Sequence, residues 1–151
     1  MAMTGPEVTF EEAVAKGDEQ CYTLQIGPGT YIDLGEPGRY ANHSCDPNAG
    51  VEGTGPHGLK LVAIRPIRRG EEVCFDYSTT MDEDHWTMPC RCGNPECRGI
   101  VADFKELPKA LRQRYLALGI VQPFIANQPA NLRLLEAKVS GAARASAARG
   151  L

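Results

Sequence analysis

Three cysteines fall close together in the second half of the chain, as Cys90-Arg91-Cys92 and then, after Gly93-Asn94-Pro95-Glu96, Cys97. In an extended segment residues i and i+2 point to the same side, so the first two thiols face one point. The four residues that follow form a turn that returns the third thiol, a usual ligand spacing for zinc. Structural zinc takes four ligands in a tetrahedron, and this stretch supplies three. The fourth must come from elsewhere in the chain, so the segment has to fold onto a distant partner. His57 and His85 are two candidates. The competing reading is a thiol cluster that stays free or forms a disulfide, which a reducing compartment disfavours.

That compartment is itself an expectation from the sequence. The N-terminus, MAMTGPEVTFEEAVAKGDE, lacks the cationic head and apolar run of a secretory signal. No apolar run approaches the roughly 20 residues of a membrane helix. A cytoplasmic location is therefore expected, with no membrane partner. The net charge of -3 and pI of 5.6 give no footprint for direct nucleic-acid binding, which needs clustered Lys and Arg. The 151 residues suffice for one domain with a packed core.

Along the chain, Thr9 and Glu12 fit a capping box opening a short helix over Val8–Gly17. Strand-like runs follow at Cys21–Ile26 and Thr30–Leu34, with Gly27-Pro28-Gly29 as the hairpin loop. Val51–Glu52, Leu59–Ile64 and Glu71–Phe75 read as further strands, the last two the clearest. Cys21 and Cys74 lie in such runs and are expected to be buried, inert thiols. Leu107, Leu111, Tyr115 and Leu118 recur at helical spacing, which predicts a core-facing helix over Pro108–Leu118 stopped by Gly119. A last helix is expected over Asn131–Val139, capped by Asn131, before a disordered tail, GAARASAARGL. The fold class is β-rich α+β.

The most polar stretch is Asn42-His43-Ser44-Cys45-Asp46-Pro47-Asn48, which ends in a Pro-Asn turn. Side-chain bonds from Asn, Ser and Asp would suffice to hold such a turn. Further on stands Gly70-Glu71-Glu72-Val73-Cys74-Phe75-Asp76-Tyr77, and then the cysteine cluster. In this order, over roughly Tyr22 to Gly99, the three stretches resemble the C-terminal half of a SET domain with its post-SET zinc module. The resemblance implies a SET-like fold of short strands and S-adenosylmethionine-dependent methylation of a protein or peptide lysine. It implies a structural zinc held by Cys45, Cys90, Cys92 and Cys97. It places Tyr77 as the active-site tyrosine, with Phe75 in the aromatic wall, and Asn42 and His43 at the cofactor. Tyr22 matches more loosely a tyrosine near the cofactor, and a core role suits it equally. Trp86 could cap an entrance.

The implied organisation is an N-terminal helical segment over 1–20, a SET-like core over 21–89 and the zinc module over 90–100. A helical segment over 101–128 and a helix with tail over 129–151 complete it. The Gly-x-Gly segment of the family's N-terminal part is not matched in Met1–Gln20. Two expectations follow from that departure. Unpaired strand edges would favour a homodimer. A catalytically inactive or truncated interaction module, stapled by zinc, becomes the alternative function.

Overall fold

The computed structural model describes residues 1–137. The expected tail, and the end of the helix expected to reach Val139, lie outside the described residues. The chain opens with β1 (Glu7–Thr9), runs into α1 (Phe10–Ala15) and a 3-10 helix (Gly17–Tyr22), and then forms β2 (Thr23–Gly27) and β3 (Thr30–Asp33). Next come β4 (Asn42–His43), β5 (Ala49–Glu52), the single turn α2 (Gly55–Gly58), β6 (Lys60–Ala63) and β7 (Cys74–Phe75). β8 (Met88–Pro89), β9 (Ile100–Val101), α3 (Lys109–Leu118) and α4 (Pro123–Ala126) complete the named elements, and residues 129–137 are helical.

Four small sheets carry the strands: an antiparallel β1-β3-β2 sheet, a parallel β4-β7 pair, and antiparallel β5-β6 and β8-β9 pairs. The first core cluster, which includes Met3, Ile32, Leu34, Val51, Leu61 and Phe75, lies among the first three sheets. A second gathers Phe104, Leu107, Tyr115, Leu116, Ile120 and Ile125 around α3 and α4. The two meet at Gly50, where a Cβ would stand 2.5 Å from Cγ2 of Ile120. A side chain there would overlap the isoleucine, so the missing Cβ lets the C-terminal segment close on β5.

Local chemistry explains where the elements depart from expectation. Thr9 does cap a helix: its hydroxyl accepts the Glu12 N–H at 3.2 Å, and its own N–H donates to Glu12 Oε2 at 2.8 Å. The three residues that end at that cap, Glu7–Thr9, are a strand paired with β3, so the helix is shorter than Val8–Gly17. Further upstream, Met3 is fully buried, and Met1–Met3 run beside β6, with the Met3 N–H donating to the Leu59 carbonyl at 3.0 Å. The run from Cys21 becomes a strand only at Thr23, which leaves Cys21 exposed in the 3-10 helix. Cys74 is half-buried. Neither is the buried thiol expected.

Glu71–Phe75 is the largest correction, because only Cys74 and Phe75 pair as a strand. Before them, buried Asn48 replaces a neighbouring strand. Its amide donates to Glu71 Oε1 at 3.0 Å and to the Glu72 carbonyl at 2.8 Å, and its oxygen accepts the Cys74 N–H at 3.0 Å. Leu107 and Tyr115 are buried and Leu111 packs on the same core, as the spacing predicts, while at the end of α3 Leu116 is buried in place of Leu118, which is 41% exposed. Gly119 ends the helix at φ 70, a left-handed conformation that costs glycine little. Asn131 lies within the last helical segment and donates to the Ile125 carbonyl at 2.8 Å, so it is not the expected cap.

Candidate active site and metal centre

The ligand atoms of Cys45, Cys90, Cys92 and Cys97 all lie within 4.8 Å of one another. Cys45 Sγ and Cys90 Sγ are 3.7 Å apart. Zinc–sulfur bonds of about 2.3 Å at tetrahedral angles put sulfurs roughly 3.8 Å apart, so the spacing fits the ion. The β8–β9 pair and the Cys90 N–H bond to the Gly99 carbonyl at 2.8 Å shape the loop that carries three of the thiols. Cys45 reaches them from the turn after β4, where its sulfur accepts the Arg98 N–H at 3.5 Å. Burial pushes the Cys45 thiol up and the Cys90 thiol up to about 12. Burial also opposes ionisation of Cys92, but the N–H groups of Cys45 and Asn94 and the neighbouring thiols outweigh it and bring that thiol to about 6. One thiolate therefore forms readily, and a bound cation is what makes four tolerable together. His57 and His85 are outside the cluster; His85 packs edge-on against Phe10, ring centroids 5.0 Å apart.

Tyr77 stands at the start of a 3-10 turn, Tyr77–Thr80, capped by Asp76, whose carboxylate accepts the Ser78 N–H at 3.1 Å. Its hydroxyl donates to the Ala41 carbonyl at 2.9 Å, and its ring lies against Phe75 and His43. Burial raises the hydroxyl far above its ordinary range, so it keeps its proton. Two cavities meet at this side chain. A narrow one of about 540 Å³, counting its mouth, is walled by Leu24, Tyr31, Phe75, Met81 and Trp86, with Glu83 among its polar groups. A wider one of about 1120 Å³, likewise counting its open mouth, is bounded by Tyr22, Asn42, His43, Glu72, Cys74 and Arg91. Tyr77, Arg39 and Cys21 line both.

The residues expected at the cofactor thus fall together on the wider cavity. The parallel β4–β7 pair sets Asn42 opposite Cys74 and His43 opposite Phe75. The Asn42 amide donates to Glu72 Oε1 at 2.6 Å. Tyr22 lies under the Arg39 guanidinium, 4.2 Å from its ring centroid, and is not a core tyrosine. His43 Nδ1 accepts the Tyr77 N–H at 3.2 Å, so that nitrogen is bare and a neutral ring carries its proton on Nε2. Nε2 stands 3.4 Å from Cys45 Sγ, where a thiolate would accept that proton. Desolvation lowers the His43 pKa, in keeping with the neutral ring, although Nδ1 lies 3.6 Å from Asp76. One imidazole therefore links the metal centre to the backbone of Tyr77.

Sequence reasoning missed Arg39, Cys21 and Tyr31 as cavity-lining groups. Tyr31 donates a hydrogen bond to Glu83 in the wall of the narrow cavity. Their separation in the chain hides this, and β3 buries both Tyr31 and its neighbour Ile32, so strand alternation gives no signal for it.

Comparison with known proteins agrees with this geometry. A family model described as SET domain matches residues 5–78. Histone-lysine N-methyltransferase ash1 of Drosophila melanogaster is 33% identical over 114 residues, which are 70% of this chain and 5% of that protein. A histone-lysine N-methyltransferase of Eremothecium gossypii, H3 lysine-36 specific, is 36% identical over 115 residues, or 70% of this chain and 16% of that one. The chain thus spans a small fraction of these relatives. Among solved structures, Arabidopsis thaliana SUVH6 in complex with SAM superposes with a TM-score of 0.54 at 24% identity, covering 67% of this chain and 27% of that one. That likeness shows the fold.

Proposed function

Because this chain belongs to the SET-domain family, we propose that it transfers a methyl group from S-adenosylmethionine to the side-chain amine of a protein lysine. The observation that carries this reading is the position of Tyr77, on the wall common to a wide polar cavity and a narrow aromatic one. A cofactor of this size suits a cavity of several hundred Å³, and a lysine side chain suits the narrow one. When bound, S-adenosylmethionine supplies an electrophilic methyl group and a positive sulfonium.

The chain's own residues then have definite tasks. Free lysine has a pKa of about 10.4 and must lose its proton before it can act as a nucleophile. The apolar walls formed by Leu24, Phe75, Met81 and Trp86 desolvate the ammonium, which lowers its pKa. Tyr77 does not take that proton, since burial keeps its own hydroxyl protonated. Its proton is committed to the Ala41 carbonyl, and the oxygen lone pairs stay available for weak C–H···O contacts that orient a methyl group. Asn42, His43 and Tyr22 frame the cofactor side, with Arg39 as a cation for a carboxylate. The four cysteines would hold zinc in a structural role, because four thiolates leave no open position for water.

Calorimetric titration of S-adenosylmethionine into zinc-replete protein tests the reading. Micromolar binding, about -8 kcal/mol, is expected. No heat at millimolar cofactor, from folded protein with one zinc per chain, contradicts it and leaves the zinc-stapled interaction module. The outer edges of β1 and β2 have no strand partner among the described residues, and a second copy pairing there is a subsidiary proposal. Sedimentation velocity decides it, a monomer being the contrary result.

A further inference from the structure

The Asp76 side chain is wholly shielded from solvent. A carboxylate taken out of water needs a cation and hydrogen-bond donors. Oδ1 accepts from Arg98 Nη2 at 2.8 Å and from the Ser78 N–H at 3.1 Å, and Oδ2 accepts from the Tyr115 hydroxyl at 3.0 Å. These donors come from three parts of the chain: the cysteine segment, the turn that starts at Tyr77, and α3. The same turn is gripped from its far side. The Thr79 carbonyl accepts the Gln122 N–H at 3.0 Å, and the Met81 carbonyl accepts the Phe104 N–H at 3.0 Å. Tyr115 is itself fully buried in the C-terminal core. Neither Asp76 nor Tyr115 lines either cavity. The family match ends at residue 78, so α3 lies beyond it.

From this geometry we infer that Asp76 and Tyr115 are positioning residues: α3 sets the pose of Tyr77 through the Tyr115–Asp76 hydrogen bond. The inference rests on the reading of Tyr77 as an active-site residue. Asp76 is bonded in the chain to Tyr77, and its carboxylate fixes the turn that follows. A loosened carboxylate would let the Tyr77 ring shift against Phe75 and the Ala41 carbonyl. The rest of the wide cavity, framed by Tyr22, Arg39, Asn42 and His43, would keep its shape.

Tyr115→Phe deletes one oxygen and leaves the ring in the core. Methyl transfer is measured with labelled S-adenosylmethionine and an unfractionated histone preparation as the lysine source. Turnover at saturation is expected to fall between about tenfold and a hundredfold, the scale of a displacement of about 1 Å in a reacting geometry. KM for the cofactor and zinc content stay unchanged. Amide hydrogen exchange, read without substrate, is expected to quicken at Tyr77, Ser78 and Thr79 and to hold steady in β5 and β6. Unchanged turnover in an active protein overturns the inference. So does exchange that stays unchanged at the turn, or quickens evenly through the whole fold as a merely structural role would require. If the wild-type protein transfers no methyl group, the proposed function is what fails with this substrate, and the exchange comparison still decides whether Tyr115 holds the turn.

Discussion

Tyr77→Phe removes one oxygen from the wall between the two cavities and nothing from the packing against Phe75. Turnover is expected to fall at least a hundredfold, a magnitude typical of losing one preorganised polar group. Calorimetry on the same variant is expected to show cofactor affinity within about twofold of wild type, a difference well under 1 kcal/mol. A variant with both values unchanged removes Tyr77 from the site. Cys21 gives a second residue-scale prediction. It is exposed and lines both cavities, so alkylation with N-ethylmaleimide should abolish cofactor binding, and Cys21→Ala should resist the reagent. Retained binding after complete alkylation of Cys21 counts against that placement. At this scale Tyr77, Asn42 and His43 were legible because each sits in a short dense motif. Arg39 and Cys21 were not, because only the tertiary fold brings them beside those motifs.

At the scale of elements, the shared thiolate cluster joins the cysteine loop to the turn after β4, beside the Arg98 bonds to Cys45 and Asp76. Zinc bound there supplies apparent binding energy on the order of 10 kcal/mol. Atomic absorption should find one zinc per chain, and Cys92→Ser should lose it. Chelation should bring faster amide exchange in β8 and β9 before β5 and β6; simultaneous loss would mean that the ion does not act as a local staple. Asn48 shows why one element was misread. The alternation in Glu71–Phe75 suggests a strand, but a strand needs a backbone partner, and a single buried amide supplies the bonds instead. Asn48→Ala would strand the Glu72 carbonyl and the Cys74 N–H. It should cost about 2 kcal/mol or more in denaturant unfolding, since buried unpaired groups each cost about 1–3 kcal/mol. A change within experimental error would show that water replaces the amide. The helix at Lys109–Leu118 was legible from its period and its glycine stop, and the expected face holds except in the last turn, where Leu116 is buried and Leu118 is exposed.

Over the whole molecule, the sheet core and the C-terminal helical core form one body because Ile120 fills the space above Gly50. Gly50→Ala should destabilise the protein by about 1–3 kcal/mol through overpacking. Adding Ile120→Ala, which removes the Cγ2 and Cδ1 that the new Cβ would meet, should recover part of that loss, a non-additivity that a double-mutant cycle reads directly. Strict additivity would mean that the two cores do not press on each other there. No sequence pattern announces this contact, since Gly50 looks like any glycine beside a turn. The same closure brings α3 behind the turn of Tyr77, where Tyr115 and Asp76 meet. Zinc module, sheets and helices thus converge on one tyrosine, and its chemistry is the claim on which the rest depends. The most direct measurement incubates zinc-replete protein with S-adenosylmethionine carrying a labelled methyl group and a histone preparation, then maps label by mass spectrometry. If that claim holds, label appears on lysine side chains with wild-type protein and disappears with Tyr77→Phe. A folded, cofactor-saturated wild-type protein that labels no lysine, or a Tyr77→Phe variant that labels as well as wild type, would contradict it.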